Sequence, residues 1–401
     1  MTESLRKFVR EHPNDDPSEL LLHASRYQGV DMEAAIIQLK ARRRTKDKLP
    51  VWHRDDRLFF PSTLAAEQCS SEMTALYKQR LVRSDDWVCD LTGGLGIDTW
   101  FFARKARQTT YVEREEVYCS AARYNFSLLG VSTIDVIQGD SLELIASNDR
   151  RITGATVFYA DPARRGTGNR RLFAIRDCEP DLMKIIDLLP KTCCMIVKLA
   201  PMLDMTQALK QLPDTQAIHV VAVKNECKEL LMVRSPDASR AQTTISDPTV
   251  YCVNFATDGT EQSFRFRLSD EHAATVAFAK QAGRYLYEPN ASILKAGAYK
   301  SVANRYHVEK LHASSHLYTS NRLITSFPGK SFELAEIIPF CNRMVKTLHV
   351  TIPQANITVR NFPISADELR NRTRIADGGN VYLMATTLSD NQKVLLKCNR
   401  L

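Results

Sequence analysis

The segment Asp90-Leu91-Thr92-Gly93-Gly94-Leu95-Gly96-Ile97-Asp98-Thr99 follows directly on a short apolar run and opens a helical pattern. Glycines at such a junction let the backbone turn tightly and approach a ligand closely. The helix start behind them offers unpaired N–H groups to an anionic group. Glu113 ends the next strand-like run, 17 residues after Gly96, where a carboxylate accepts hydrogen bonds from ribose hydroxyls. Asp140 follows the third run, in Gln138-Gly139-Asp140-Ser141, where it reaches an adenine amino group or caps a turn or helix. Three acids after three successive strand-like runs read as the site of a nucleoside-containing cofactor. A dinucleotide site requires G-x-G-x-x-G/A, and here Thr99 fills the last place, too bulky for the close helix packing of that motif. S-adenosylmethionine fits better. It carries no phosphate, and Asp90 suits its cationic amino and sulfonium groups.

The expected cofactor residues are therefore Asp90, Thr92, Gly93, Gly94, Gly96, Asp98, Thr99, Glu113, Asp140 and Asp161. Ser70 and Ser71, in the helical lead-in, fold over the methionine end or simply start a helix. The segment Ala160-Asp161-Pro162-Ala163-Arg164-Arg165 follows the fourth strand-like run, at the carboxyl edge where a methyl acceptor must sit. There Asp161 accepts a hydrogen bond from an attacking amine or hydroxyl, and Arg164 or Arg165 holds a phosphate. An Asp/Arg ion pair closing the loop is the other reading. Lys198, near the end of the fifth run, touches substrate or snorkels to the surface. Asp161, Arg164 and Lys198 are the expected catalytic set.

Other motifs carry less. Cys193 and Cys194 begin the fifth run instead of ending it, so a covalent cysteine mechanism is not expected. Ten cysteines contain no C-x-x-C and no Cys/His cluster at zinc spacing, which implies reduced thiols, a cytoplasmic setting and no metal. Pro328-Gly329-Lys330-Ser331 ends like a P-loop, but Ile324 stands where the first glycine belongs. His312 and His316 have i, i+4 spacing without a third ligand.

These residues need a scaffold, and the rhythm of the chain supplies one. Residues 1 to about 80 read as helical, with Asp31 a cap for the stretch from Met32 and a basic run from Lys40 to Lys46 that is a solvated helix end or a nucleic-acid contact. From Trp87, short apolar runs alternate with helical patterns to about Val223, the signature of a parallel sheet built from βαβ units. A hairpin is expected around Asp258-Gly259. A helix is expected from Ala291 to Ala303, and short strands around Glu333 to Ile338 and Thr347 to Ile352. The last β segments are expected at Val381 to Thr387 and Lys393 to Cys398.

Taken together, Asp90 to Gly96, Glu113, Asp140 and Asp161 to Arg165 resemble class I S-adenosylmethionine-dependent methyltransferases. Phe60-Pro61, Glu67 to Glu72, Val197 to Pro201, Glu288 to Ile293, Arg360 to Pro363 and Asp377-Gly378-Gly379 extend the likeness to a Bacteroidetes-type branch with a THUMP-like C-terminal domain. The resemblance implies a Rossmann-like α/β fold, with a helical region at 1–80 and a methyltransferase domain at 81–280. A ferredoxin-like module at 281–323 and a THUMP-like module at 324–401 would follow. It also implies RNA as the partner of the last module. Three positions depart from the family pattern: Thr92 replaces the first loop glycine, and Ala163 and Arg164 replace the second proline and the aromatic of base-amine methylating enzymes. Without that aromatic, the stacking platform for a flipped base is lost.

Composition limits the remaining classes. At 401 residues, 44% hydrophobic and 25% charged, the chain is globular and multi-domain. No run approaches the length of a membrane span, and the charged first 16 residues do not form a secretion signal. The net charge is +8, and residues 321–401 hold 11 Lys/Arg against 6 Asp/Glu. That basic end is the expected RNA contact, with a small-molecule or protein acceptor, or a relic cofactor pocket, as the alternatives.

Overall fold

The computed structural model describes residues 1–164, 175, 178–235 and 247–401. The chain forms two compact units, Met1–Gln216 with Glu229–Ser246, and Ala217–Lys228 with Asp247–Leu401.

The first unit is built on β1 (Trp87–Asp90), β2 (Gln108–Glu113), β3 (Ile134–Gln138), β4 (Val157–Ala160), β5 (Cys194–Leu199) and, from Glu229 on, β6 (Glu226–Arg234). They lie in the order β3-β2-β1-β4-β5-β6, the first five parallel and β6 antiparallel to β5. The chain builds outward from β1 through β2 to β3, then restarts on the other side of β1 with β4. That reversal opens a crevice at the carboxyl ends of β1 and β4, where open α/β sheets bind ligands. β4 is buried at every position and β1 at three of four, which explains why their apolar runs do not alternate.

The N-terminal helices belong to this unit's core. Leu49, Trp52, Leu58 and Phe60 pack in one cluster with Trp100, Phe101, Tyr111 and Phe126. Asp31 caps helix Met32–Thr45 by accepting from the Ala34 N–H at 3.0 Å. The basic run is exposed at Lys40, Arg43, Arg44 and Lys46, as a solvated helix end requires, and Arg42 is the exception. Arg42 is buried and donates to the carbonyls of Asp55, Asp56 and Leu58. Arg43 donates to the Pro13 carbonyl, and Arg44 pairs with Glu67. These arginines tie the helix to segments before and after it in the chain.

In the second unit, Ala217–Val223 pairs parallel with Thr249–Phe255, which forms a hairpin with Glu261–Arg267. A seven-stranded sheet follows, in the order Glu309–Lys310, Tyr318–Ser320, Tyr285–Pro289, Gly329–Pro339, Lys393–Arg400, Ala376–Thr387, Gln354–Arg360. Two expectations fail here. The helix from Ala291 is broken at Gly297, whose φ of +73° ends Ala291–Ala296 before Tyr299–Tyr306 begins. The β-branched run Thr347 to Ile352 lies mostly in helix Asn342–Thr351, because Val345 and Leu348 fall on one buried helical face and Ile352, just past the helix end, joins the same core. Among the described residues, no helix is long and apolar enough to cross a membrane.

Candidate functional site

The glycine loop is held open by what surrounds it. A side chain at Gly93 would stand 2.3 Å from the Tyr111 ring, and one at Gly96 would stand 2.7 Å from Phe126. Gly96 also has φ +83°, a left-handed conformation that favours glycine. Tyr111 donates its hydroxyl to the Gly94 carbonyl at 2.6 Å, so the ring that forbids a side chain also fixes the turn. Thr92 is not among the positive-φ residues, and its hydroxyl accepts the Asp161 N–H at 2.7 Å. A glycine there would lose this tie between the loop and the end of β4.

Ser70, Asp90, Thr92, Gly93, Gly94, Gly96, Asp98, Glu113, Asp140 and Asp161 all line one cleft of about 360 Å³ at the carboxyl ends of β1, β2 and β4. That volume suits a nucleoside-sized ligand. A larger hollow of about 970 Å³ beside β3 includes the starts of β1, β2 and β3 and none of these residues.

The acids differ in state. Asp90 is fully buried, and burial raises its carboxyl to about 7, against the opposing hydrogen bonds from the Thr99 hydroxyl (2.6 Å) and the Thr92 N–H (3.0 Å). Glu113 accepts from the Gly94 N–H at 3.0 Å and the Glu115 N–H at 3.1 Å, which leaves lone pairs on both oxygens. Asp140 caps helix Ser141–Ala146 through the Leu142 and Glu143 N–H groups, and it also lines the cleft.

Asp161 pairs with Lys198, which extends from β5. Burial opposes the Lys198 ammonium, but Asp161, Glu229 and Asp98 outweigh it and hold the group above the ordinary lysine value. Asp98 is buried beside Lys78, and the attraction of Lys78 and Lys198 overcomes burial to keep its carboxyl below the usual range.

The chain aligns over 99% of its length with a proposed methyltransferase from Porphyromonas gingivalis W83, at 38% identity, a TM-score of 0.88 and 97% of that chain covered. Residues 285–328 match a ferredoxin-like domain family, and residues 329–400 match a THUMP domain-like family. The chain belongs to the class I methyltransferase family with a THUMP-like C-terminal domain. An rRNA methylase from Streptococcus thermophilus aligns at 15% identity and a TM-score of 0.30, over 41% of this chain and 94% of that one. A protein from Streptococcus mutans solved with S-adenosylhomocysteine aligns at 11% and 0.29, over 40% and 96%. At that similarity neither bears on the activity of this chain. No curated protein matches it in sequence.

Within this methyltransferase fold, several expected residues stand elsewhere than anticipated. Thr99 does not line the cleft; it sits behind Asp90, donating to its carboxylate. Ser71 caps helix Glu72–Gln79 through the Thr74 N–H, the ordinary helix start, and does not line the cleft. Asp98 lines the cleft but spends its carboxylate on Ser70, Tyr159 and Lys78. Arg164 pairs by its backbone with Cys178; its side chain, and all of Arg165, lie outside the described residues.

The minor motifs resolve too. Cys194 starts β5, the end opposite to Lys198, and burial pushes its thiol up to about 12. Gly329 begins a strand pressed against the Glu288 carbonyl, where a side chain would stand 2.1 Å away. His312 contacts Asn361 and Ser314, while His316 stacks on Tyr299. Among the described residues, no group of three His, Cys, Asp or Glu side chains could hold a metal.

Sequence reasoning missed Lys78, Glu229, Arg114 and Glu179. Arg114 follows Glu113 directly and pairs with Glu179, and both line the cleft. Lys78 and Glu229 are 151 residues apart and share no local motif.

Proposed function

We propose that this chain is an S-adenosylmethionine-dependent methyltransferase acting on RNA. The observation that carries the reading is the partly buried Asp161–Lys198 pair at the carboxyl ends of β4 and β5, beside a cleft ringed by Asp90, Glu113 and the glycine loop. Glu113 has acceptor capacity left for ribose hydroxyls, Asp140 faces the adenine side, and Asp90 supplies a buried carboxylate for a cationic ligand. The cofactor, when bound, supplies an electrophilic methyl group on a sulfonium. Asp161 accepts a hydrogen bond from the acceptor nucleophile and orients its lone pair, and Lys198 fixes Asp161. Alignment of this kind contributes on the order of 7–11 kcal/mol to a group transfer.

The state of Asp90 gives this reading a pH signature. A cation binds the ionised carboxylate best, and the group is half protonated near pH 7. S-adenosylmethionine affinity should therefore rise with pH through neutrality and level off above it, and Asp90→Asn should flatten the profile. Calorimetry between pH 5.5 and 8.5, as approximate limits, checks this. A wild-type affinity that stays constant across the range contradicts the role given to Asp90.

RNA is proposed from charge and from the THUMP domain-like match. Helix Asn342–Thr351 exposes Arg343 and Lys346 and contains no acid. Arg343→Glu with Lys346→Glu in the full chain should weaken binding to RNA of any sequence. The dependence of log affinity on log salt should become shallower by about one per lost phosphate contact. An unchanged salt slope would remove this helix from the RNA surface. The decisive assay of function compares methylated nucleosides in total RNA from cells with and without the gene. Loss of one methylated nucleoside supports the reading, and an unchanged inventory shifts it to a small-molecule or protein acceptor. The cysteine spacing, without a C-x-x-C, fits a cytoplasmic enzyme.

A further inference from the structure

Lys78 is fully buried, on a helix that precedes the sheet. Its Nζ donates to both Glu229 oxygens at 2.9 Å and to Ser70 Oγ at 2.8 Å, and lies 3.0 Å from Asp98 Oδ1. Ser70 Oγ in turn donates to Asp98 Oδ2 at 2.7 Å, and the Tyr159 hydroxyl donates to the same oxygen at 2.7 Å. One ammonium, with three donors, is thus spent wholly on this cluster. Such a network is a poor device for stability alone, because well-packed apolar side chains of similar volume usually do as well. Its distinguishing feature is where it ends: Ser70, Asp98 and Tyr159 all line the cleft, as does Asp161, two residues beyond Tyr159.

The sheet order gives the cleft two ends. Glu113 and Asp140 follow β2 and β3 on one side of β1, whereas Asp161 follows β4 on the other. The adenosine half of the donor belongs over the first side, and its amino-acid arm then points to the second. We propose that Lys78 is a positioning residue for the amino-acid arm of the methyl donor, locking Ser70 and Asp98 as the wall of that end of the cleft. Through Tyr159 it also fixes the strand end that carries Asp161. The proposal rests on the methyl-donor reading of the cleft. Lys78 itself does not line the cleft; it holds side chains that do.

The test uses two ligands that share the nucleoside and differ in the arm. S-adenosylhomocysteine carries the amino-acid arm, and 5′-methylthioadenosine lacks it. Calorimetry on the full chain compares the wild type, Lys78→Met and Ser70→Ala. Lys78→Met should weaken S-adenosylhomocysteine by roughly ten- to a hundred-fold and leave methylthioadenosine within about twofold. Ser70→Ala should show the same selectivity with a smaller loss. It leaves the ammonium–carboxylate pairs intact, so it decides the matter by the same ratio if Lys78→Met does not fold. Equal loss of both ligands, or no loss of either, overturns the proposal. A wild-type chain that binds neither ligand removes the methyl-donor reading and this proposal with it, whereas tight binding indifferent to both substitutions removes only the proposal.

Discussion

Replacing Gly93 with alanine should cost the chain its methyl donor while leaving it folded. The new Cβ would lie 2.3 to 2.6 Å from three atoms of the Tyr111 ring. That ring cannot simply turn aside: it is fully buried, it meets Phe126 edge-on at 5.8 Å, and its hydroxyl holds the Gly94 carbonyl. Relief must come from the loop, which moves Gly94 away from Glu113 and Thr92 away from Asp161. Overpacking of this kind costs about 1–3 kcal/mol, and here it falls on the atoms that would meet the cofactor. A loss of about ten- to a hundred-fold in S-adenosylmethionine affinity is expected. Gly94→Ala makes the contrast. Its Cβ would meet only the Thr92 carbonyl at 3.8 Å, so its cost is the strain of a φ of +52° alone, roughly 1 kcal/mol. Equal effects from the two substitutions would show that the Tyr111 contact does not shape the loop.

The second large effect is expected at Asp161. Asp161→Asn should leave donor affinity within a few-fold and lower methyl transfer by roughly a hundred-fold or more, the scale of a lost hydrogen-bond acceptor or base at the reacting atom. Lys198→Met should lower it too, because Asp161 would lose the ammonium that orients it. The pair acts as a unit, so the double variant should be little worse than the worse single one. Labelled S-adenosylmethionine, with total RNA from cells lacking the gene as acceptor, provides the assay. If Asp161 merely closed a loop, transfer would follow stability, and Asp161→Asn would lower melting temperature and rate together.

The parts of this site that a reader of the sequence can find are those built from neighbouring residues. Asp90, the three glycines, Glu113 and Asp140 each sit just after an apolar run, and the parallel sheet brings consecutive strand ends to one edge without further information. The sequence does not reveal which acid is spent internally. Asp98 and Thr99 belong to the same motif as Asp90, yet their side chains turn inward, to Lys78 and to Asp90 itself. The Lys78–Glu229 pair joins a helix before the sheet to its antiparallel sixth strand, and no spacing rule connects the two. The same limit applies to Arg42, whose basic neighbours suggest solvent or nucleic acid while its carbonyl partners lie 13 to 16 residues on. Thr347 to Ile352 shows the converse: β-branched residues favour a strand locally, and burial of one helical face prevails.

The central claim is that the cleft at β1, β2 and β4 binds S-adenosylmethionine. Calorimetry of the full chain at about pH 8, above the Asp90 midpoint, tests it most directly. One site per chain is expected, with Glu113→Ala weakening binding by about tenfold or more, since a charged acceptor for hydroxyl donors is removed. A folded wild-type chain that takes up no S-adenosylmethionine, or one whose binding is indifferent to Glu113, would contradict the account.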